Sequence, residues 1–143
     1  MASHDSHLDD IRLSHLHVLG MNGEELAANQ AADSRIVQDL NQLASLPCAD
    51  ASLDAVVCTA SVEYLVKPLA VFTEVRRVLR PGGVFVVTFS NRWFPPKAVR
   101  IWTQLHEFER VGMVTQWLQQ AGFEKLHTFS SSGWPRAEWP EAR

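Results

Sequence analysis

The chain has 143 residues, of which 46% are hydrophobic and 20% are charged, and its formal net charge is -3 at pH 7. This length and balance indicate one globular domain, and they make nucleic acid or an anionic membrane an unexpected partner. The only cysteines are Cys48 and Cys58, and no apolar run approaches membrane-spanning length. We therefore expect a soluble, cytoplasmic protein without a disulfide framework.

Polar residues dominate both ends of the chain. Residues 1–14 include His4 and His7 among several aspartates. A polar terminus lacks the supported backbone that metal ligands need, so we predict a tail and no metal site. Residues 132–143 mix Pro and Trp with charged residues and carry no secondary-structure pattern. The predicted organisation is a tail at 1–14, a folded domain at 15–131 and a second tail at 132–143.

Hydrophobic patterning between the tails predicts alternating strands and helices. Two Val-rich runs, 54–59 and 83–89, do not alternate with polar residues, which is typical of parallel strands covered on both faces. The helix between them, 68–80, begins at Pro68 and ends before a Pro-Gly-Gly break. The other predicted elements are strands at 15–19, 36–40 and 123–131 and helices at 24–29, 97–105 and 107–120.

Polar or aromatic residues follow three of these strands. Asp39 lies at the end of the strand at 36–40, Thr59 ends the strand at 54–59, and residues 90–93 follow the strand at 83–89. In open α/β sheets, ligands bind beyond the carboxyl ends of the strands, so Asp39 is a candidate hydrogen-bond acceptor for a cofactor. Its position equally favours a second role, in which it caps the turn that follows.

Three segments within residues 36–90 occur in a characteristic order. They are Asp39-Leu40, the run Leu-Pro-Cys-Ala-Asp-Ala-Ser-Leu-Asp-Ala-Val-Val at 46–57, and the run Glu-Val-Arg-Arg-Val-Leu-Arg-Pro-Gly-Gly at 74–83. Together they resemble class I S-adenosylmethionine-dependent methyltransferases, above all the group called methyltransferase type 11. The resemblance implies a Rossmann-like α/β fold with a mostly parallel sheet and helices on both faces. It also implies S-adenosyl-L-methionine as cofactor.

The resemblance further implies roles for individual residues. Asp39 matches the acid that contacts the adenine amino group, with Leu40 beside the ring. Thr59, Ala60 and Ser61 match the backbone that lies along the cofactor. Methyl displacement at a sulfonium mainly requires alignment and exclusion of water, so no catalytic dyad is needed. Residues placed to face the acceptor, each of which also suits a structural role, are Glu63, Tyr64, Asn91, Arg92 and Trp93.

Two features of that family have no counterpart in this chain. The first strand and its Gly-rich loop are absent, and the acid that ends the second strand aligns with Gly20, which leaves Asn22 as the nearest polar substitute. Family sheets are ordered 3-2-1-4-5-7-6, so the first, central strand and the last strand are expected to be missing. Either the strands at 15–19 and 54–59 pair directly, or their unpaired backbone finds another partner.

Two hypotheses from different classes follow. In the first, the chain is an S-adenosylmethionine-dependent methyltransferase for a small-molecule acceptor, and the absent Gly-rich loop weakens or abolishes its activity. In the second, the truncated fold is a non-catalytic remnant or pseudoenzyme domain. It would then act through a protein partner, or through self-association that covers the missing strand.

Overall fold

The computed structural model describes residues 12–131, so most of the first predicted tail, with His4 and His7, and all of the second lie outside the described residues. Strands and helices alternate along this range as in a Rossmann-like α/β fold. No helix among these residues is long and apolar enough to cross a membrane. The elements are β1 (His17–Gly20), α1 (Gly23–Ala28), β2 (Ser34–Val37), β3 (Leu53–Thr59), a short 3-10 helix (Val62–Tyr64), α2 (Pro68–Val78), β4 (Leu79–Thr88), α3 (Arg100–Gln104) and α4 (Glu107–Gln120).

The first sheet contains two strands. β1 and β2 run parallel, with His17 opposite Ser34 and Gly20 opposite Val37. The crossover between them is the six-residue helix α1, whose Leu26 side chain is completely buried. Arg35 Nε donates at 2.8 Å to the Leu26 carbonyl, which also accepts from the Asn29 N–H at 3.1 Å, so that β2 is joined to the end of the helix.

The second sheet also contains two strands. β3 and β4 run parallel, with Ala55 opposite Val84 and Thr59 opposite Thr88. Their register is irregular between Leu53 and Ala55, opposite the Pro-Gly-Gly segment of β4, where Gly82 has a φ of 80°. Successive strand residues point to opposite faces. The side chains that this sheet packs against the hydrophobic core include Val56, Cys58, Phe85 and Val87.

Helices α2 and α4 cover the core face of this second sheet. Phe72 of α2 is completely buried, and its ring makes edge-on contacts with Phe85 of β4 at 5.0 Å and with Trp117 of α4 at 6.3 Å between centroids. Such aromatic pairs add to the free energy gained by burial. Gly122 follows α4 with a φ of 93°, a left-handed conformation that is typical of the glycine after a helix end.

The prediction that the two Val-rich strands are covered on both faces is wrong for β3 and β4. On the face away from α2, Val57, Val84 and Val86 are 42%, 56% and 41% exposed. We call this surface the valine face. A run without alternation shows that both faces of a strand are apolar, but it does not specify which element covers each face.

The strand predicted at 123–131 is also absent: these residues form irregular structure with a bend at Lys125. Phe123 instead packs its ring against Phe85 at 5.4 Å between centroids, and Lys125 adopts a left-handed φ of 55°. An apolar pattern identifies side chains that become buried. A strand also needs a neighbouring strand with which its backbone can form hydrogen bonds. The helix predicted at 97–105 is shorter than expected and spans Arg100–Gln104.

Within residues 12–131, β1 pairs only with β2 and β3 pairs only with β4. Direct pairing between the first and third strands, one of the two predicted alternatives, is therefore not formed. One edge of β1 and one edge of β3 have no strand beside them in this range. The two pairs must be connected by other interactions.

One such connection is the side chain of Arg77 on α2. Its guanidinium donates to the carbonyls of Leu46 and Cys48 at 2.9 and 3.0 Å, and to Asp50 Oδ1 at 2.6 Å. It also donates to both carboxylate oxygens of Glu74 at 2.9 Å. Glu74 Oε2 in turn accepts from the Leu46 N–H at 2.8 Å. These bonds hold the β2–β3 connection along α2, and they lower the pKa of Glu74, chiefly through Arg77.

We expect Arg77→Met to lower the midpoint of chemical denaturation clearly. The Arg77 side chain donates hydrogen bonds to two carbonyls and one carboxylate of the β2–β3 connection, and the variant loses all of them. Arg80→Met is the matched control, since Arg80 makes a single exposed pair with Asp54 at 2.9 Å. That control should change the free energy of unfolding by less than about 0.5 kcal/mol. Equal midpoints for the two variants would contradict a structural role for Arg77.

Candidate functional site

Asn41 joins the turn that follows β2 to the segment that follows β3. Asn41 Nδ2 donates to the Tyr64 carbonyl at 2.9 Å, and Asn41 Oδ1 accepts from the Val66 N–H at 2.9 Å. An amide side chain that pairs with one donor and one acceptor of a second segment fixes the distance between the two segments. The candidate site is therefore the edge formed by the turn after β2 and the segment after β3.

Asp39 lies two residues beyond the end of β2 and is half-buried. Its Oδ1 accepts from the Asn41 N–H at 2.9 Å, and its carbonyl accepts from Gln42 and Leu43 at 3.0 Å each. The structure thus places Asp39 in the turn-capping role that its position predicted. Its second carboxylate oxygen has no hydrogen bond to another residue of the described range, so capping leaves one acceptor open. Leu40 packs against the hydrophobic core.

The backbone bends sharply directly after β3. Ala60 has a φ of 46°, a left-handed conformation that costs a non-glycine residue roughly 1–2 kcal/mol. Two hydrogen bonds of 2.8 Å hold the bend: the Ala60 N–H donates to the Thr88 carbonyl, and Ser61 Oγ donates to the Thr59 carbonyl. Strain of this kind is concentrated at functional sites. The predicted cofactor segment at 59–61 is thus also the strained segment of this edge.

Glu63 is a buried acid in the next turn, with 1% of its surface exposed. Its Oε2 has no hydrogen-bond partner in the described part of the chain. Burial raises the pKa of the Glu63 carboxyl, which favours its protonated form. Burial, with a smaller contribution from Glu63, raises the pKa of Cys58 to about 12. Cys58 therefore remains a thiol at neutral pH and does not suit a nucleophilic role.

The segment after β4 contains the remaining predicted acceptor-facing residues. The Phe94 N–H donates to the Tyr64 hydroxyl at 3.1 Å, which joins this segment to the turn after β3. Asn91 donates to Glu107 Oε2 at 3.2 Å. Both Asn91 and Arg92 are exposed. The first of these contacts joins the segments after β3 and β4, and the second joins the segment after β4 to α4.

Trp93 faces inward, where it meets residues that the sequence analysis did not select. The Arg110 guanidinium lies 4.0 Å from the centre of the Trp93 ring and 5.7 Å from that of Trp102, and Arg110 Nε donates to the Trp102 carbonyl at 3.0 Å. Arg110 is 7% exposed, so these contacts are cation–π interactions away from water. The helical spacing of Arg110 from the apolar residues Val114 and Trp117 is the signal that could have revealed its burial.

Asn22 has a structural role at the start of α1. Its Oδ1 accepts from the N–H groups of Glu24 and Glu25 at 3.0 and 3.4 Å, which makes it the N-cap of this helix. It follows the carboxyl end of β1, but no hydrogen bond joins its side chain to the turn after β2 among residues 12–131. The described residues also contain no group of three or more potential metal ligands.

Comparisons with known proteins agree on one family. A probable S-adenosylmethionine-dependent methyltransferase from Mycolicibacterium smegmatis is 37% identical over 111 residues, which are 75% of this chain and 43% of that protein. A human thiol S-methyltransferase, TMT1B, is 51% identical over 47 residues, 33% of this chain and 17% of that protein. The chain therefore spans less than half of these relatives.

Solved structures show the same fold. The methyltransferase in a Haloferax volcanii complex with the Trm112 methyltransferase activator aligns with a TM-score of 0.59 and 22% identity, over 80% of this chain and 53% of that chain. A SAM-dependent methyltransferase from Aquifex aeolicus aligns with a TM-score of 0.52 and 16% identity, over 76% of this chain and 58% of that chain. The family model of the methyltransferase domain matches residues 7–87. The chain thus belongs to the family of class I S-adenosylmethionine-dependent methyltransferase domains.

Proposed function

We propose that this chain binds S-adenosyl-L-methionine at the edge formed by the turn after β2 and the segment after β3, and that its function is methyl transfer to a small-molecule acceptor. The observation that carries the proposal is the Asn41 bridge, which holds the Asp39 turn against the residues that follow β3. Both segments belong to the part of the chain that the family model matches. The identity of the acceptor is not part of the proposal.

The residues at this edge fit the adenosine end of the cofactor. The open carboxylate oxygen of Asp39 would accept a hydrogen bond from the adenine amino group while its other oxygen caps the turn. The bend at Ala60 would turn the backbone at 59–61 along the cofactor. When bound, the cofactor supplies a methyl group that its sulfonium already activates, so the chain has to orient the acceptor and exclude water.

Buried polar atoms without partners support an acceptor site beside this edge. Glu63 Oε2 and Trp93 Nε1 are both buried and have no hydrogen-bond partner within residues 12–131. A buried polar atom of this kind costs free energy unless another group pairs with it. An acceptor would pair with these atoms, and the fraction of Glu63 that is ionised would accept the proton that the attacking group loses as its bond to the methyl group forms. The exposed side chains of Asn91 and Arg92 would lie at the entrance.

Calorimetric titration with S-adenosylhomocysteine tests the cofactor site. We expect Asp39→Asn to weaken binding by about tenfold, because it removes a charged acceptor that is worth roughly 1.5 kcal/mol. This variant keeps an oxygen for the Asn41 N–H, so the turn should remain and thermal stability should change little. Asp54→Asn is the matched control, since Asp54 is an exposed acid at the opposite end of β3.

Two results would contradict this assignment. If the folded wild-type chain gives no binding heat at millimolar ligand, the chain does not bind the cofactor by itself. If Asp39→Asn and Asp54→Asn bind the ligand equally well, a site elsewhere on the chain is responsible.

The raised pKa of Glu63 predicts how stability depends on pH. In the folded state its neutral form is favoured. Its contribution to stability is therefore fully present below the unfolded-state pKa and is lost as pH rises through the folded-state pKa. As pH rises from the unfolded-state pKa of about 4.3 towards the raised folded-state pKa, wild type should lose stability relative to Glu63→Gln, whose side chain cannot ionise. Denaturant unfolding at each pH measures the difference. Glu124 is an exposed acid, so the free energy of unfolding of Glu124→Gln should depend on pH in the same way as that of wild type.

A second candidate function is a non-catalytic domain that acts by association. It is favoured by the valine face and by the edges of β1 and β3 that have no strand beside them in the described range. Open edges and exposed apolar surface are sites for pairing with another chain. The Haloferax volcanii relative was solved with an activator protein, which makes a protein partner a reasonable proposal here.

Self-association through the valine face can be tested with Val86→Lys. Val86 is 41% exposed, so the folded monomer should tolerate a charged side chain at this position. We expect sedimentation to show a molar mass that rises with concentration for wild type and stays constant for the variant. Phe108→Lys, at a side chain that is 86% exposed on α4, is the control. A wild-type monomer at every concentration would contradict self-association.

A further inference from the structure

A groove runs beside the first turn of α2, on the surface that α2 shares with α3 and α4. Its volume is about 550 Å³, which lies within the range of small-ligand sites, roughly 300–1,000 Å³. None of the candidate cofactor or acceptor-facing residues lines it. We call it the lateral groove, and the lining residues that matter here are Val66, Lys67, Leu69, Arg100, Ile101 and Trp117.

The wall of the lateral groove is aliphatic and partly exposed. Val66, Leu69 and Ile101 are 64%, 40% and 50% exposed. Trp117 is half-buried and holds its ring against Phe72, so its position is fixed by the core. Covering exposed aliphatic side chains gains roughly 25 cal/mol for each Å² removed from water. The wall therefore favours an apolar ligand segment.

The charges at the lateral groove are all of one sign. Lys67 and Arg100 contribute the cations, and no acidic residue lines the groove. Within residues 12–131 neither cation belongs to an ion pair, whereas Arg77 and Arg80 both do. The first turn of α2 also lacks an acidic residue, although the free N–H groups of a helix start favour negative charge. An anion next to the apolar wall would complement these charges.

We propose that the lateral groove binds a small amphipathic anion, an aliphatic chain that ends in a carboxylate. The chain would cover Val66, Leu69 and Ile101, and the carboxylate would pair with Lys67 and Arg100. Arg100 can bind a carboxylate with two parallel hydrogen bonds, while Lys67 acts as a point charge. A protein partner fits less well, because a standard protein interface involves about 20–30 residues on each side, whereas eleven residues line the groove.

Titration with decanoate, followed by heteronuclear NMR of the whole chain, tests this site. We expect amide shifts to concentrate at residues 65–70, 99–101 and 117–120. Decan-1-ol, which keeps the chain but lacks the charge, should bind more weakly. Acetate, which keeps the charge but lacks the chain, should cause no localised shifts. These probes do not depend on methyltransferase activity. The decanoate result can therefore be interpreted whether or not the chain binds S-adenosylhomocysteine.

Charge-removing variants make the assignment specific. We expect the double variant Lys67→Gln with Arg100→Gln to weaken decanoate binding by at least about tenfold, since both partners of the carboxylate are lost. Lys97→Gln is the matched control. Lys97 is a nearby exposed cation that lies over the Phe94 ring at 5.9 Å and does not line the groove, so binding should be unchanged.

Three outcomes would overturn the proposal. Decanoate could bind the double variant as tightly as wild type, decan-1-ol could bind as tightly as decanoate, or the shifts could fall on the valine face. An acidic amphipathic peptide that shifts the groove residues where decanoate does not would assign the groove to a protein partner instead. Circular dichroism of the double variant checks that it is folded, which exposed Gln substitutions should allow.

Discussion

Side-chain hydrogen bonds, rather than a shared strand ladder, connect the two halves of the described domain. Within each strand pair the two strands are joined by backbone hydrogen bonds. Between the pairs, no such hydrogen bonds form a ladder in residues 12–131. Asn41 joins the carboxyl ends of the two pairs. Arg77 holds the connection between them along α2. The relative positions of β2 and β3 depend on these side chains together with the packing of Leu40, Ala44 and Leu46 against the hydrophobic core.

This constraint determines what the candidate site can be. Because Asn41 is part of the same turn as Asp39, the bonds that join the two strand pairs also hold the turn of this acid against residues 64–66, which follow β3. Family membership is shown for a chain that spans less than half of its relatives. The edge that we propose for the adenosine end of the cofactor lies within the part of the chain that the family model matches.

The valine face reflects how the second sheet is covered. The core of the second sheet is completed on one side by α2 and α4, which bury Phe72, Val75 and Trp102. On the other face of the sheet, the valines whose sequence pattern predicts burial remain exposed. Packing on one face is therefore enough for the strands to form. The apolar surface on the other face stays exposed within the described residues. Such surfaces are where further binding partners are to be sought.

Local sequence signals predicted those features that depend on neighbouring residues. Pro68 starts α2 and Gly122 follows α4, because the φ preferences of these residues act within one turn. Family membership was recognisable from three short segments for a similar reason, since each corresponds to one turn or one helix end. Asp39 as a turn cap belongs to the same group, because its hydrogen bond reaches only to Asn41.

The remaining errors and omissions concern contacts between residues far apart in the chain. Residues 123–131 have apolar anchors but no ladder partner, and Arg110 is buried only because Trp93 and Trp102 reach it from another segment. By itself, the sequence determined the family, the α/β class and the residues at the strand ends. The tertiary structure alone decided which faces are covered, which strands pair and which polar atoms lack partners. The reason is physical: these properties depend on distances in space that no local preference of the backbone encodes.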